Sequence, residues 1–342
     1  MTLTLVSVGL SSHMDLSLRA LEAARSAHHV YAEEYTMRLD TTVEALEVTI
    51  GRPITPLPRG GMEEEAPRLL ETAENSDIAV LVGGDALAAT THVSLLVDAT
   101  RRRIPVKVVH GSSVFTAIAE TGLSLYKFGR VVTVPLPEKG PVDTVLRTLK
   151  ENAEHGLHTL LLLDLDVPAG RYLTVPEAIT LLEKTGEFPL GTLMVAAARL
   201  GSDSQIIRAD SALNLRDADY GGPPYALVVP GQLHFLEEEA LQVLAGCPTG
   251  LLEDRKVQGE VDGLVEKYIK GCRRVLEDLK VAGLPVEVKE EAVADLIDHV
   301  RRYLEDADYY RVEQKPVALA SVAYAEGVLD ALKLLGIVSF DW

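Results

Sequence analysis

Ile78-Ala79-Val80-Leu81-Val82-Gly83-Gly84-Asp85-Ala86-Leu87-Ala88-Ala89-Thr90-Thr91-His92 carries an apolar run into two glycines and a carboxylate, and then into a helical pattern. A short apolar run closed by glycine reads as a strand buried on both faces, and the glycines let the backbone turn sharply or approach a ligand. The same rhythm repeats on either side. Downstream it predicts a helix near 90–102 and a strand at 106–109. Upstream it predicts a strand over 3–8 stopped at Gly9, and a helix opening after Ser17 through Leu18, Leu21 and Ala24-Arg25. A strand near 29–33 and helices near 41–50 and 63–75 fill the interval. Alternating strands and helices of this kind predict an α/β fold with a parallel or mixed sheet covered on both faces.

A second set follows residue 110: a helix near 142–154, strands at 158–164, 192–198 and 225–229, and Thr174-Val175-Pro176-Glu177, whose spacing is that of a capping box. Two α/β domains, 1–110 and 111–246, would enclose a cleft, and clefts between domains are where small ligands usually bind. From Gly246 the strand signals stop. Leu264, Tyr268, Val275 and Leu279 share one helical face that Gly283 can end, a second helix runs from about Val288 to Arg311, and a third from Pro316 to Leu335. The expectation for 257–342 is a small all-α bundle.

The bulk properties narrow the function. With 342 residues, 47% of them hydrophobic, the chain can bury a large core, and its net charge of −18 argues against direct binding to nucleic acid. Arg101-Arg102-Arg103 falls at an expected helix end, where cations meet the negative end of the dipole. Two cysteines, Cys247 and Cys272, are too few for a disulfide framework and fit a reducing cytoplasm. The N-terminus lacks the basic start of a signal peptide, and no run approaches membrane-spanning length.

Generic catalytic patterns are missing: the chain has no Walker loop, no GxGxxG after the first strand, no HExxH and no GxSxG. His155 and His158 flank an expected helix end at Gly156, which argues against a shared metal-binding face. Asp85 is the sharpest candidate. At the end of a strand it can accept hydrogen bonds from a ligand or face a cation, and it can equally be a turn or cap residue.

Three long stretches are more specific than any single loop: Gly122-Leu123-Ser124-Leu125-Tyr126-Lys127-Phe128-Gly129, Glu151-Asn152-Ala153-Glu154-His155-Gly156-Leu157-His158-Thr159-Leu160, and Pro223-Pro224-Tyr225-Ala226-Leu227-Val228-Val229-Pro230-Gly231-Gln232-Leu233-His234. With them, residues 1–245 resemble the diphthine synthases, in the tetrapyrrole-methylase-like class of methyltransferases. The resemblance implies an S-adenosyl-L-methionine site between the two α/β domains, with S-adenosyl-L-homocysteine as product. It implies cofactor contacts at Leu10, Asp85, Ala88, Ser113, Val114, Leu163, Leu200 and Tyr225, no metal, and a homodimer. The implied protein substrate is translation elongation factor 2, methylated on the amine of a modified histidine. Such an amine needs no strong general base, because its reference pKa of about 8 leaves a usable neutral fraction. No catalytic acid or base is assigned, and Tyr126 and Lys127 are candidates for the substrate side of the cleft.

The sequence departs from the family pattern at two turns. Ser7-Val8-Gly9-Leu10 stands where Gly-x-Gly-Leu is usual, and Gly83 and Ala86 stand where prolines flank the Gly-Asp pair. Tyr225 stands where other members carry His. Because fold does not fix substrate, a related methyltransferase acting on a tetrapyrrole or another small molecule stays open, and the altered turns at Ser7 and Gly83 keep open a cofactor-binding protein without activity. Tyr303-Leu304-Glu305-Asp306-Ala307-Asp308-Tyr309-Tyr310 and Ala323-Tyr324-Ala325-Glu326-Gly327-Val328-Leu329-Asp330-Ala331-Leu332 resemble a small archaeal helical domain of unknown function, which reads as an interaction or oligomerisation module.

Overall fold

Seven consecutive buried residues, Leu3–Gly9, form β1, the strand on which the first half of the computed structural model is built. The structure describes residues 1–33, 39–58, 66–281, 289–311 and 314–341. β2 (His29–Glu33), β3 (Ile54–Leu57), β4 (Ile78–Gly83) and β5 (Val106–Val109) join β1 in one parallel sheet of order β3-β2-β4-β1-β5. Side chains alternate across it. Leu3, Leu5, Val80 and Val82 pack with helices Ala66–Asn75 and Val93–Arg101 on one face. Val6, Val8, Ala79 and Leu81 pack with Leu18–Ser26 and Val43–Ile50 on the other. Ser17 caps Leu18–Ser26 by accepting the Ala20 N–H at 3.1 Å. β3 is not legible as a strand because it carries Pro56, which is tolerated at this sheet edge. Residues 63–65 of the expected helix near 63–75 lie outside the described residues.

The second sheet holds β6 (Val132–Val134), β7 (Thr159–Leu163), and, after a two-stranded ladder of β8 (Leu165–Asp166) and β9 (Arg171–Tyr172), the strands β10 (Leu193–Ala198), β11 (Ile206–Ser211) and β12 (Tyr225–Val229). Its order is β11-β10-β12-β7-β6, parallel between β6 and β7 and antiparallel elsewhere. The capping box forms as spaced: the Glu177 N–H donates to Thr174 Oγ1, and the Thr174 N–H donates to Glu177 Oε2.

Thr249 opens the second compact unit, Thr249–Trp342. Its helices are Thr249–Asp278, Glu290–Tyr310 and Lys315–Leu334, with Cys272, Val275, Val300, Leu304, Ala325 and Leu329 in a common core. The strand-free expectation needs one correction: β13 (Lys280–Val281) and β14 (Val338–Ser339) form a short antiparallel ladder, too brief to leave a pattern in sequence. Gly283, Val288 and the side chain of Leu264 lie outside the described residues. Among the described residues no helix is long and apolar enough to cross a membrane.

A buried polar knot fixes the 124–128 segment. Glu237 is 3% exposed, and its Oε1 accepts the Ser124 N–H at 3.0 Å and the His158 Nε2–H at 3.2 Å, while Oε2 takes the Lys127 ammonium. Nε2 is the donor because His158 Nδ1 accepts the Gly231 N–H at 2.9 Å. Burial pushes the Glu237 carboxyl up, but the Lys127 ammonium and the N–H groups of His234 and Ser124 outweigh it and hold it far below the ordinary carboxylate range. Such a group stabilises the fold above its unfolded pKa and loses that contribution as pH falls toward its folded one. Glu237→Gln is therefore expected to cost about 1.5–3 kcal/mol at pH 7 in urea denaturation, from the lost charge-assisted bonds. That cost should shrink as pH is lowered below about 4.3.

Candidate functional site

In the first sheet the connections from β1 and β4 leave in opposite directions, so their carboxyl ends form a switch point, the usual ligand crevice of open α/β sheets. The two ends are joined by backbone. The Gly9 N–H donates to the Gly84 carbonyl at 3.2 Å, and the Gly84 N–H donates to the Gly9 carbonyl at 2.7 Å. Gly9 has φ +105°, and a Cβ there would lie 2.4 Å from the Asp15 Cβ, so only glycine fits.

Asp85 extends this junction to the third turn. Its Oδ1 accepts the Leu87 N–H at 3.0 Å, and its Oδ2 accepts from His110 Nδ1 at 2.9 Å and from the Gly111 N–H at 3.1 Å. Burial pushes the Asp85 carboxyl up, yet the donors at Leu87, His110 and Gly111 prevail and hold it below the ordinary aspartate value. A carboxylate offers about four acceptor positions, so one on Oδ1 remains for a ligand. The turn and ligand roles are therefore compatible. Ala88 closes the turn by donating its N–H to the Asp85 carbonyl at 3.0 Å. Ser113 and Val114 follow His110-Gly111 and open the short helix Val114–Ala117.

The remaining candidates gather at one end of the second sheet. Tyr225 pairs with Ala198, which places Leu200 just past the end of β10, and Leu163 ends β7 one register step beyond the Leu162–Ala226 pair. Leu10 approaches this group, since a Cβ at Gly201 would lie 3.2 Å from the Leu10 side chain. An open cleft lies there, with Leu10, Ser11 and Asp40 on one wall and Arg199, Leu200, Ser202 and residues 222–224 on the other. Leu10 and Leu200 thus both line the cleft. Asp85, Ala88, Ser113, Val114, Leu163 and Tyr225 do not line this part of it. The Tyr225 hydroxyl donates to the Gly221 carbonyl, and its ring packs on the second-sheet core.

Arg199 is a residue that sequence reading passed over. It sits at φ +50°, a conformation rare outside glycine, and its guanidinium donates to the Tyr220 carbonyl at 2.6 Å, the Ser204 carbonyl at 2.7 Å, Ser204 Oγ at 2.9 Å and the Gly222 carbonyl. It holds the 220–222 loop that walls the cleft. Only its place directly before Leu200 could have drawn notice. Lys127 is committed to Glu237 and to the Gln232 carbonyl at 2.6 Å, so its ammonium is structural, while Tyr126 is 88% exposed. His155 caps its helix through Nδ1 to the Glu151 carbonyl at 2.8 Å.

The chain is similar to known proteins. The tetrapyrrole (corrin/porphyrin) methylases match residues 2–214, and a protein family of unknown function, DUF357, matches residues 267–338. The diphthine synthase of Methanosarcina barkeri is 42% identical over 265 residues, covering 74% of this chain and 99% of that protein. The diphthine synthase of Methanothermobacter thermautotrophicus is 40% identical over 260 residues, covering 73% of this chain and 98% of that protein. A crystal structure of diphthine synthase superposes with a TM-score of 0.70 at 34% identity, over 73% of this chain and 98% of that one.

Removing Asp85 tests whether it does more than build its turn. Asp85→Ala is expected to weaken S-adenosyl-L-homocysteine binding by roughly 10- to 150-fold in calorimetry, the range for a lost charge-assisted hydrogen bond. Asp85→Asn should lose nearly as much, because its amide NH2 must face one of the N–H donors that the carboxylate now accepts. Unchanged affinity with a lowered melting temperature would show that Asp85 only builds the turn.

Proposed function

The chain belongs to the tetrapyrrole methylases and, among them, to the diphthine synthases; from that premise we propose that it methylates translation elongation factor 2. The activity is that of an S-adenosyl-L-methionine-dependent methyltransferase. The acceptor is the amine of the aminocarboxypropyl-modified histidine, in diphthamide biosynthesis, and S-adenosyl-L-homocysteine is the product.

One observation carries the reading: the turns after β1, β4 and β5 are tied together at a switch point, beside a cleft bounded by Leu10 and Leu200. The residues present suit the cofactor. Glycine backbone gives close approach, Asp85 keeps one acceptor for a ribose hydroxyl, and Leu10, Ala88, Leu163 and Leu200 offer apolar contact. Ser113, Val114 and Tyr225 complete the proposed set. When bound, S-adenosyl-L-methionine supplies a methyl group made electrophilic by its sulfonium.

The protein's own task is then mainly orientation. Holding nucleophile and electrophile in line is worth roughly 7–11 kcal/mol in well-oriented reactions. Among the described residues lining the cleft, only Asp40 and Arg199 are ionisable, and Arg199 is committed to the 220–222 loop. An amine already partly neutral near pH 7 needs no stronger base than that wall provides. We assign 1–110 and 111–246 to the two halves of the methylase body, and 257–342 to a module for interaction or oligomerisation. We take the working form to be a cytoplasmic homodimer, in which the two free, buried thiols stay reduced.

Mass spectrometry tests the reaction directly. Elongation factor 2 bearing the aminocarboxypropyl-histidine intermediate is expected to gain whole methyl increments on that histidine when incubated with the protein and cofactor. No gain under cofactor excess would contradict the assignment. A chain ending at Pro248 should keep this turnover, and a folded truncation with none would overturn the proposed division of labour.

A further inference from the structure

Ala86 follows Asp85 in the turn that joins the first sheet to the cleft, and it is fully buried. Its carbonyl accepts from Thr90 Oγ1 at 2.8 Å and His92 Nδ1 at 3.0 Å. Its N–H donates to Ser7 Oγ at 2.9 Å. Ser7 is 1% exposed, on β1, separated by 79 residues in sequence. No water reaches a donor buried this deeply, so without the hydroxyl the N–H would be left unpaired. Ser7 also fits closely against the third turn, because a Cβ at Gly111 would lie 2.8 Å from the Ser7 Cβ. Gly111 is the residue whose N–H binds Asp85. One small side chain therefore meets two of the turns that Asp85 ties together.

We infer that Ser7 is a positioning residue for Asp85, its hydroxyl holding the Ala86 N–H so that the Asp85 turn keeps the form that receives the cofactor. The inference rests on the methyltransferase reading and deepens it. The two ends of this bond are also two of the positions at which the sequence departs from Gly-x-Gly-Leu and Gly-Asp-Pro. Those departures are physically coupled: an N–H at position 86 needs an acceptor at position 7, and a residue without an N–H needs none. Ala86 is the second residue of a four-residue turn closed by the Ala88 N–H on the Asp85 carbonyl, a place that accepts proline.

The test is a cycle of Ser7→Gly, Ala86→Pro and the double variant S7G/A86P, with S-adenosyl-L-homocysteine binding read by calorimetry. S7G is expected to raise the dissociation constant about tenfold, within the range for an orphaned buried donor. In turnover the cofactor KM should rise while kcat at saturation stays within about twofold. S7G/A86P should return to within about threefold of the parent, because the orphaned donor is gone. An S7G protein that binds as tightly as the parent, or a double variant no better than S7G, would overturn the inference. Amide exchange at Leu87 and Gly111, both bound to Asp85, reads the same coupling without cofactor: it should quicken in S7G and slow again in S7G/A86P. A parent protein that bound no cofactor would sink the methyltransferase reading, and the exchange cycle would still decide whether Ser7 positions Asp85.

Discussion

The site hangs on a backbone junction at which Gly9 tolerates no side chain. Gly9 and Gly84 exchange both of their peptide hydrogen bonds at the carboxyl ends of β1 and β4, and the space where a Cβ of Gly9 would stand is filled by Asp15. Asp15 is itself fixed, since its Oδ2 accepts the N–H groups of Ser11 and Ser12 at 2.6 and 3.0 Å. The segment after β1 is thereby folded back on the strand it leaves, and Leu10 is delivered to the cleft wall. Asp85, bound on one side to its own turn and on the other to Gly111, carries the same constraint to the segment after β5. The parallel sheet brings three chain segments to one edge, and short hydrogen bonds between their turns convert that edge into a site.

The α/β reading was legible because buried strands leave uninterrupted apolar runs. Leu3–Gly9 and Ile78–Gly83 are buried almost throughout, and Ser17 and Thr174 mark helix starts by side-chain chemistry that sequence displays. The missed strands share another cause. β3 and β11 lie at sheet edges and carry Pro56, or Arg208 with Asp210, residues that a half-exposed strand accepts and a pattern search rejects. β6, with three residues, is shorter than any period that could reveal it.

At the site, the segment around Asp85 stood out in sequence and Leu200 entered through the family resemblance, but the reason for each residue's identity was not legible. Lys127 drew attention as a polar residue between Leu125 and Phe128, and its partner proved to be Glu237, 110 residues away, a pairing no local pattern encodes. Ser7, and Arg199 in its bonds to Tyr220 and Gly222, were opaque for a related reason: those partners are backbone groups remote in sequence, and backbone groups have no letter in a sequence. A buried polar side chain that satisfies a remote peptide group is therefore the kind of determinant that only a three-dimensional structure exposes.

The central claim, that the tied turns and the neighbouring cleft form one cofactor site, is tested most directly by a crystal structure of the full chain with S-adenosyl-L-homocysteine. The account predicts ligand density within about 4 Å of Leu10, Ala88, Ser113, Leu163, Leu200 and Tyr225, with a hydroxyl on Asp85. Density at another place on the molecule, with the turns at Gly9, Asp85 and Gly111 untouched, would contradict it.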